Sequence, residues 1–511
     1  MRHAFPTAAA HSLWSDGCPP PRIIQGGMGV AISGWRLAAA VAATGQLGVT
    51  SGTALDIVCA RRLQSGDPGG HVRRALAAFP VRAVAEWIIS AYFVEGGIPE
   101  QAMFRAVPRY TLTPPPRVQE LTVAANFVEV YLAKQGAGPG GGPIGVNYLR
   151  KIEYPLPAAC YGAMLAGVDY VLVGAGNPAA LPDLVRRLAR HQDVTLGVRV
   201  QGASSADGPY DVHFSPTGLL GGAHRAPLPV PQVLAIVASV DLAHALATDP
   251  DTRPDGFVIE GPSAGGHNAP PRGPRRTDAI GQPVYDARDE ADPARIIELG
   301  LPTWLAGSYA TPQRLRAALD AGAAGIQVGT AFAYCQESGF APDIKRRVLD
   351  DVAAGRVQVR SDWRCSPTGF PFRVVELPGT LSDPSVVAAR QPVCDLGLLR
   401  SAYLTPEGRV DYRCPAEPAA SYVGRKGGRQ ANMQGRVCLC NALLASAGLP
   451  QRRRNDDPEP PLVTASSDFT TVAHLLRHLP MHQVTYTAAD VVAHLLSGID
   501  RNLVPTGATR T

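Results

Sequence analysis

The chain has 511 residues, 45% of them apolar and 18% charged, with a formal net charge of +5. That length accommodates a large core and more than one structural unit. The small charge, with Arg452, Arg453 and Arg454 answered by Asp456 and Asp457, speaks against nucleic acid as a partner; no apolar run reaches membrane-span length, the first ten residues carry no signal pattern, and nine cysteines do not look like a secreted disulfide framework. A soluble cytoplasmic protein without a membrane or nucleic-acid partner is therefore expected.

In chain order, a tail (1–20) precedes R-I-I-Q-G-G-M-G at 22–29, a strand that breaks on glycines. Residues 33–43 have a helical pattern closed by Gly45, and 46–52 form a second strand running into small residues. This spacing suits a βαβ unit. The alternation is interrupted over about 54–143, where 73–91 reads as a helix and 121–134 as an amphipathic helix. Residues 113–116 are proline-rich and 136–143 are nearly all Gly and Pro. The region reads as an enlarged connection between the second and third strands, on the outside of a barrel.

Alternation resumes with a third strand at 144–147, a helix at 161–167, a fourth strand at 170–173 and a helix at 181–191. A fifth strand is expected at 194–200 and a helix at 233–247. The sixth strand begins at Phe257. A short helix at 294–299 leads to a seventh strand at 303–306, and a helix at 312–320 to an eighth at 325–328. Eight strands alternating with helices, nearly all ending in small residues, predict an α/β fold, a (β/α)8 TIM barrel over 21–340. In such a barrel the active groups gather at the strand C-termini.

The most informative stretch is 257–270, F-V-I-E-G-P-S-A-G-G-H-N-A-P. A buried strand ends at Glu260-Gly261. Gly265 and Gly266 have no Cβ and let backbone approach a bound group closely, and His267 follows as the one titratable side chain. A histidine whose pKa lies near the working pH can take or give a proton. The last two strands end in Gly307-Ser308 and Gly329-Thr330, where such barrels often hold a phosphate.

Together these motifs resemble the nitronate monooxygenase (2-nitropropane dioxygenase) family and the related FMN-dependent enoyl reductases. The residues that carry the resemblance are R-I-I-Q-G-G-M-G at 22–29, I-G-V-N at 144–147, S-A-G-G-H at 263–267 and G-I-Q-V-G-T-A-F at 325–332. The resemblance spans roughly residues 20–375. It implies an FMN-dependent oxidoreductase, first of all one that oxidises alkyl nitronates with O2. An NAD(P)H-dependent enoyl reductase, working on an acyl carrier protein in a polyketide or fatty acid synthase, is the alternative. A non-catalytic flavin- or phosphate-binding assembly barrel is a third. The resemblance further implies that Gly26, Gly27 and Met28 lie along the flavin and that Asn147 hydrogen-bonds it. Gly265 and Gly266 would pass beneath it, and Gly307, Ser308, Gly329 and Thr330 would bind its phosphate. Gln327 would point toward it or the core, and His267 would be the acid/base residue. Two departures stand out: Ser263 replaces a glutamate common in the monooxygenases, and N-A-P-P-R-G at 268–273 looks more like the enoyl reductases.

Residues 341–511 are expected to be an α-rich extension packing on the barrel, with a helix at 342–354. Ser366 and Thr368 lie in a turn at 365–369 that resembles the family's closing loop over the site. Cys394, Cys414, Cys438 and Cys440 lack paired C-x-x-C spacing and read as free thiols rather than metal ligands. His474, His478 and His482 recur every four residues but are interrupted by Pro480, and read as surface or packing residues. Thr487 and Asp490 form a capping box. No metal is expected.

Overall fold

The computed structural model describes residues 19–497 and 499, apart from 222–225, 454–457 and 481–482. His482, Arg454, Asp456, Asp457 and most of the tail therefore lie outside the described residues. Eight strands form one sheet: β1 (Ile23–Gln25), β2 (Gly48–Ser51), β3 (Ile144–Leu149), β4 (Tyr170–Gly174), β5 (Gln232–Val237), β6 (Gly256–Glu260), β7 (Thr303–Ala306) and β8 (Gly325–Val328). Their order around the sheet is β1-β8-β7-β6-β5-β4-β3-β2, and every neighbouring pair is parallel. A bridge between Ile24 and Leu47 brings the two ends together. There the Gln25 N–H donates to Leu47 O at 3.0 Å and the Leu47 N–H to Ile23 O at 3.1 Å. The fold is thus a nearly closed eight-stranded α/β barrel of the TIM type.

The barrel is filled rather than hollow. Ile24, Leu47, Val49, Tyr170, Leu172, Leu234, Val258 and Trp304 form its inner core, and Trp304 donates its indole N–H to Pro21 O at 2.7 Å. Strands buried on both faces must be apolar throughout, which is why these runs were legible.

Two expectations are corrected here. Residues 194–200 are not the fifth barrel strand. Val194–Gly197 pairs antiparallel with Asp211–Phe214 in a separate hairpin, where Val194 and Leu196 are buried while Thr195 and Gly197 are exposed. That alternation marks a half-covered strand. The fifth strand is Gln232–Val237, inside the stretch expected to be helical at 233–247. The helix begins only at Val240 and runs to Thr248, because the Ser239 side chain accepts the Leu242 N–H and caps it.

The second-to-third-strand connection also differs from expectation. The helix expected at 73–91 is two helices, His71–Ala77 and Arg82–Tyr92, separated around Pro80, which cannot donate an i→i−4 bond. The helix read as amphipathic is Pro116–Ala137, and residues 121–130 are buried all around it. Its polar groups are paired inside: Asn126 Oδ1 accepts from Tyr148 Oη at 2.9 Å, and Glu129 pairs with Arg62 at 2.6 Å. On the outside of the barrel, this helix packs in the main core with the helices Leu55–Gln64 and Leu156–Leu165.

The C-terminal segment contributes the helices Pro342–Ala353, Leu439–Ser446, Thr470–Arg477 and Ala488–Leu496. It also adds two antiparallel pairs, Val359–Asp362 with Phe372–Val375 and Ser401–Leu404 with Val410–Arg413. The capping box forms as read from the sequence, with Thr487 and Asp490 exchanging hydrogen bonds. Among the described residues, no helix is long and apolar enough to cross a membrane.

Candidate functional site

The C-terminal tips of the barrel strands open into a cleft. Gly26, Gly27, Met28, Asn147, Gly265, Gly266, His267, Gly307, Ser308, Gln327, Gly329 and Thr330 all line it. Residues scattered over three hundred positions of sequence thus meet on one surface. Parallel strands deliver their tips to the same end of a barrel, and β1, β3, β6, β7 and β8 each end in one of these segments.

The floor is made largely of backbone. Gly27 lies so close to Asn147 that a Cβ on it would stand 2.3 Å from the Asn147 Cβ. Asn147 turns its Nδ2 back to the carbonyls of Tyr148 and Leu172, at 3.0 and 3.3 Å. A Cβ on Gly265 would meet Ala465 C at 2.9 Å and Ser466 N at 3.0 Å. Gly266 has φ +79°, and a Cβ there would meet nothing within 4 Å. Gln327 Oε1 is buried without a hydrogen-bond partner.

His267 is held from the far side by the C-terminal segment. Its Nε2 lies 2.6 Å from Ser366 Oγ, which is itself 2.8 Å from Thr368 Oγ1. The ring meets Phe372 edge-on, with centroids 4.8 Å apart. The Gly266 N–H donates to Thr464 Oγ1 at 2.9 Å, and the Arg373 N–H donates to Gly266 O at 2.9 Å. The glycine-histidine loop is therefore stitched into a second segment rather than free at the rim. His267 keeps partial access to the cleft, yet protein surrounds its ring closely. That desolvation, with the Lys151 charge adding to it, lowers its pKa to about 3. This differs from the expectation of an imidazole titrating near the working pH: at neutral pH His267 is uncharged and exchanges hydrogen bonds.

Two ionisable groups beside it were not singled out from the sequence. Glu260, the last residue of β6, lines the cleft, and burial raises its pKa to about 7 against the pull of Lys151. Lys151 follows β3. Burial lowers its pKa to about 8, opposed by the Glu260 charge. The Lys151 Nζ sits 3.8 Å from the centroid of the Phe370 ring. Glu260 could have been found by its place at a strand tip. Nothing in the sequence brings Lys151 to it.

The C-terminal segment supplies the rest of the wall: Leu398, Leu399, Leu439 and Leu443 form an apolar side, and Thr464, Ser466 and Asp468 a polar one. The Thr330 hydroxyl is committed here, accepting the Ser466 N–H at 2.9 Å and donating to Ser466 Oγ at 3.0 Å. Ser308 sits at φ +60°, and its carbonyl accepts from Arg314 Nη1. All described cysteines are free. Among the described residues no group of three or more His, Cys, Asp or Glu is arranged to hold a metal ion.

A parallel barrel with its ionisable groups and glycine turns gathered at the strand tips defines an α/β-barrel enzyme. Residues 231–367 match the family model for nitronate monooxygenase. Those residues carry β5 to β8 and the glycine-histidine loop. No curated protein matches the chain. Among solved structures it is similar to FabK from Thermotoga maritima, at 17% identity and TM-score 0.39, over 72% of this chain and 76% of that one. It is similar to nitroalkane oxidase from Streptomyces ansochromogenes at 15% identity and TM-score 0.42, over 94% and 95%. The enoyl reductase domain of MlnA, from the macrolactin biosynthesis cluster of Bacillus amyloliquefaciens, aligns at 10% identity and TM-score 0.46, over 95% of each chain. Likenesses at these scores do not bear on the substrate.

Proposed function

We propose that this chain is an FMN-dependent oxidoreductase whose flavin lies on the glycine floor of the cleft. The observation that carries this reading is the floor itself. Gly26, Gly27, Gly265, Gly266, Gly307 and Gly329 line one surface where strand tips converge, and a flat ring system needs backbone there instead of side chains. Two further observations fit the group. The unpartnered Gln327 Oε1 offers an acceptor to a ring N–H. Among the described residues, the N–H groups of Gly307, Ser308 and Gly329 have no backbone carbonyl partner, which suits a phosphate held by main-chain donors. Asn147 and Gln327 would then hydrogen-bond the ring, and Met28 would lie beside it. Thr330 would act mainly by anchoring Ser466. When bound, the flavin supplies the electron transfer, and the protein supplies position and electrostatics.

His267 serves this site as an uncharged, fixed imidazole. Ser366 sets its orientation, and its neutral form can polarise a substrate oxygen without first losing a proton.

The reaction this geometry supports best is reduction of an enoyl thioester at the expense of NAD(P)H, with the thioester presented on an acyl carrier protein. The wall of Leu398, Leu399, Leu439 and Leu443 is more apolar surface than a small nitronate needs, and it suits a long acyl chain. Oxidation of alkyl nitronates with O2 is the second reading, favoured by the family match over 231–367. The electron-donor assay separates them. Anaerobic bleaching of a yellow protein by NADH or NADPH, followed by turnover of an enoyl thioester, selects the reductase. Oxygen uptake and nitrite release without pyridine nucleotide select the monooxygenase. A protein that takes up FMN but turns over neither would be an assembly barrel, and one that refuses FMN would refute the proposal.

A further inference from the structure

We propose that Arg436 is a positioning residue for His267: it braces the turn that carries Ser366, and through Ser366 it fixes the orientation and the tautomer of the imidazole. The consequence for turnover rests on the oxidoreductase reading of the cleft, and the geometry stands without it.

The hydrogen bonds around Ser366 run in one direction. Ser366 is fully buried. Its Oγ accepts the Thr368 N–H at 3.2 Å, and Thr368 Oγ1 accepts the Phe370 N–H at 3.4 Å. The Thr368 hydroxyl proton is then free for Ser366 Oγ, 2.8 Å away, and the Ser366 proton for His267 Nε2 at 2.6 Å. Both lone pairs and the one proton of the serine hydroxyl are thereby used. In that order Nε2 accepts, and the neutral ring carries its proton on Nδ1. The order persists only while the turn keeps each group within hydrogen-bond reach of the next.

Arg436 is what keeps it there. Its Nη1 donates to Trp363 O and to Arg364 O, each at 3.1 Å, and to Ser366 O. Three carbonyls of one turn thus converge on a single guanidinium nitrogen. Their common partner is charged, and charge-assisted hydrogen bonds are the stronger kind. From the other side, Asp362 Oδ1 accepts the N–H groups of Arg364 and Cys365, at 2.7 and 3.1 Å, while Asp362 Oδ2 faces Arg360 at 3.2 Å. The turn is therefore gripped by its carbonyls and by its N–H groups at once.

The brace is itself anchored. Arg436 Nε donates to Asn432 O at 3.0 Å, the Arg436 N–H to Met433 O at 3.0 Å, and the Val437 N–H to Cys365 O at 3.0 Å. Just beyond it begins the helix Leu439–Ser446, whose Leu439 and Leu443 line the cleft. One short segment thus supplies both the apolar wall and the support behind His267. Lysine could not replace the arginine fully, because an ammonium is a point charge without the planar fork.

The first arm of the test does not depend on flavin. In protein labelled with 15N at histidine, the ring resonances absent from His267→Ala belong to His267. In the parent, Nε2 should lie at the unprotonated end of the imidazole range and Nδ1 at the protonated end. Arg436→Gln should bring the two together, as in a ring exchanging between tautomers. Parent-like resonances in Arg436→Gln, or a parent with its proton on Nε2, overturn the proposal. The second arm is the flavin-loaded enzyme. Arg436→Gln should keep its flavin, leave KM within about twofold and lose roughly 10- to 100-fold in kcat. Ser366→Ala should lose as much, and the double variant little more, because both changes cut the same chain of contacts. An unchanged kcat, a loss carried by KM alone, or losses that multiply in the double variant each overturn the proposal. Arg436→Lys should fall between the parent and Arg436→Gln, and it takes the place of Arg436→Gln in both arms if that variant fails to fold. A parent that binds no flavin would sink the oxidoreductase reading, and the histidine resonances would still decide the role of Arg436.

Discussion

Replacing Gly27 by alanine tests the assembly of the cleft most directly. The new Cβ would stand 2.3 Å from Asn147 Cβ and 3.0 Å from its Cγ and Oδ1, where ordinary contact begins at 3.4 Å. The tips of β1 and β3 must therefore part by about 1 Å, and overpacking of this kind costs about 1–3 kcal/mol. Neither tip can yield freely. The Gly26 N–H is bonded to Val328 O at 2.9 Å, and the Gly52 N–H to Asn147 O at 2.9 Å. If flavin lies on this floor, about 2 kcal/mol of lost fit weakens FMN binding by roughly 30-fold. Fluorescence quenching of FMN measures the affinity, and urea unfolding measures the stability. The control is a double-mutant cycle with Asn147→Gly, which removes the atoms that clash. The pair should be less destabilised than the two single changes summed, by about 1 kcal/mol or more. Strict additivity would show that the two residues do not touch, and unchanged FMN affinity in the single variant would remove Gly27 from the flavin site.

Three other outcomes are expected. His267→Ala should keep its flavin but lose about 100-fold in turnover, while His267→Gln, which retains a neutral hydrogen-bonding head, should recover a good part of it; equal loss in both would argue for a proton-carrying imidazole instead. In stability against pH, the two titrating groups act with opposite sign. Glu260 rises from 4.5 to about 7 on folding, so its contribution is fully present below pH 4.5 and is lost as pH climbs through 7. His267 falls from 6.5 to about 3, so stability is lost as pH drops through that interval. Glu260→Gln should therefore gain stability relative to the parent between pH 4 and pH 8, and His267→Gln should lose less than the parent on acidification; urea midpoints across this range give the slopes, and parallel curves would contradict them. Finally, Leu443→Ala should raise KM for a long-chain enoyl thioester by about tenfold, from about 1–2 kcal/mol of lost apolar contact, and leave a four-carbon thioester unaffected; equal effects on both would place the chain elsewhere.

The barrel was legible because strands buried on both faces are written as short apolar runs, and each run here stops at small residues. The same rule shows where the reading failed. V-T-L-G-V-R-V at 194–200 is apolar at alternate positions, and the structure leaves alternate residues exposed. Q-V-L-A-I-V at 232–237 is apolar almost throughout and lies inside the sheet. A run that short is also compatible with one buried helical turn, so only the Ser239 cap distinguished strand from helix. In the second-to-third-strand connection, periodicity suggested one solvated face for the helix Pro116–Ala137. Its polar residues Asn126 and Glu129 are instead satisfied inside, by Tyr148 and Arg62.

For the site, local sequence determined the flat floor. A glycine announces its missing side chain wherever it stands, and strand tips of one parallel barrel must share an end. Partners contributed by distant segments could not be read in the same way. Ser366 on His267, Thr464 on Gly266 and the leucine wall come from the C-terminal segment, whose path across the cleft is fixed by packing and not by any local pattern. The protonation states were tertiary properties as well. A histidine, a glutamate and a lysine carry ordinary affinities for protons in an open chain. Only folding removes water from around His267, Glu260 and Lys151 and sets their charges against one another, because desolvation and Coulomb energy depend on distances that sequence does not contain.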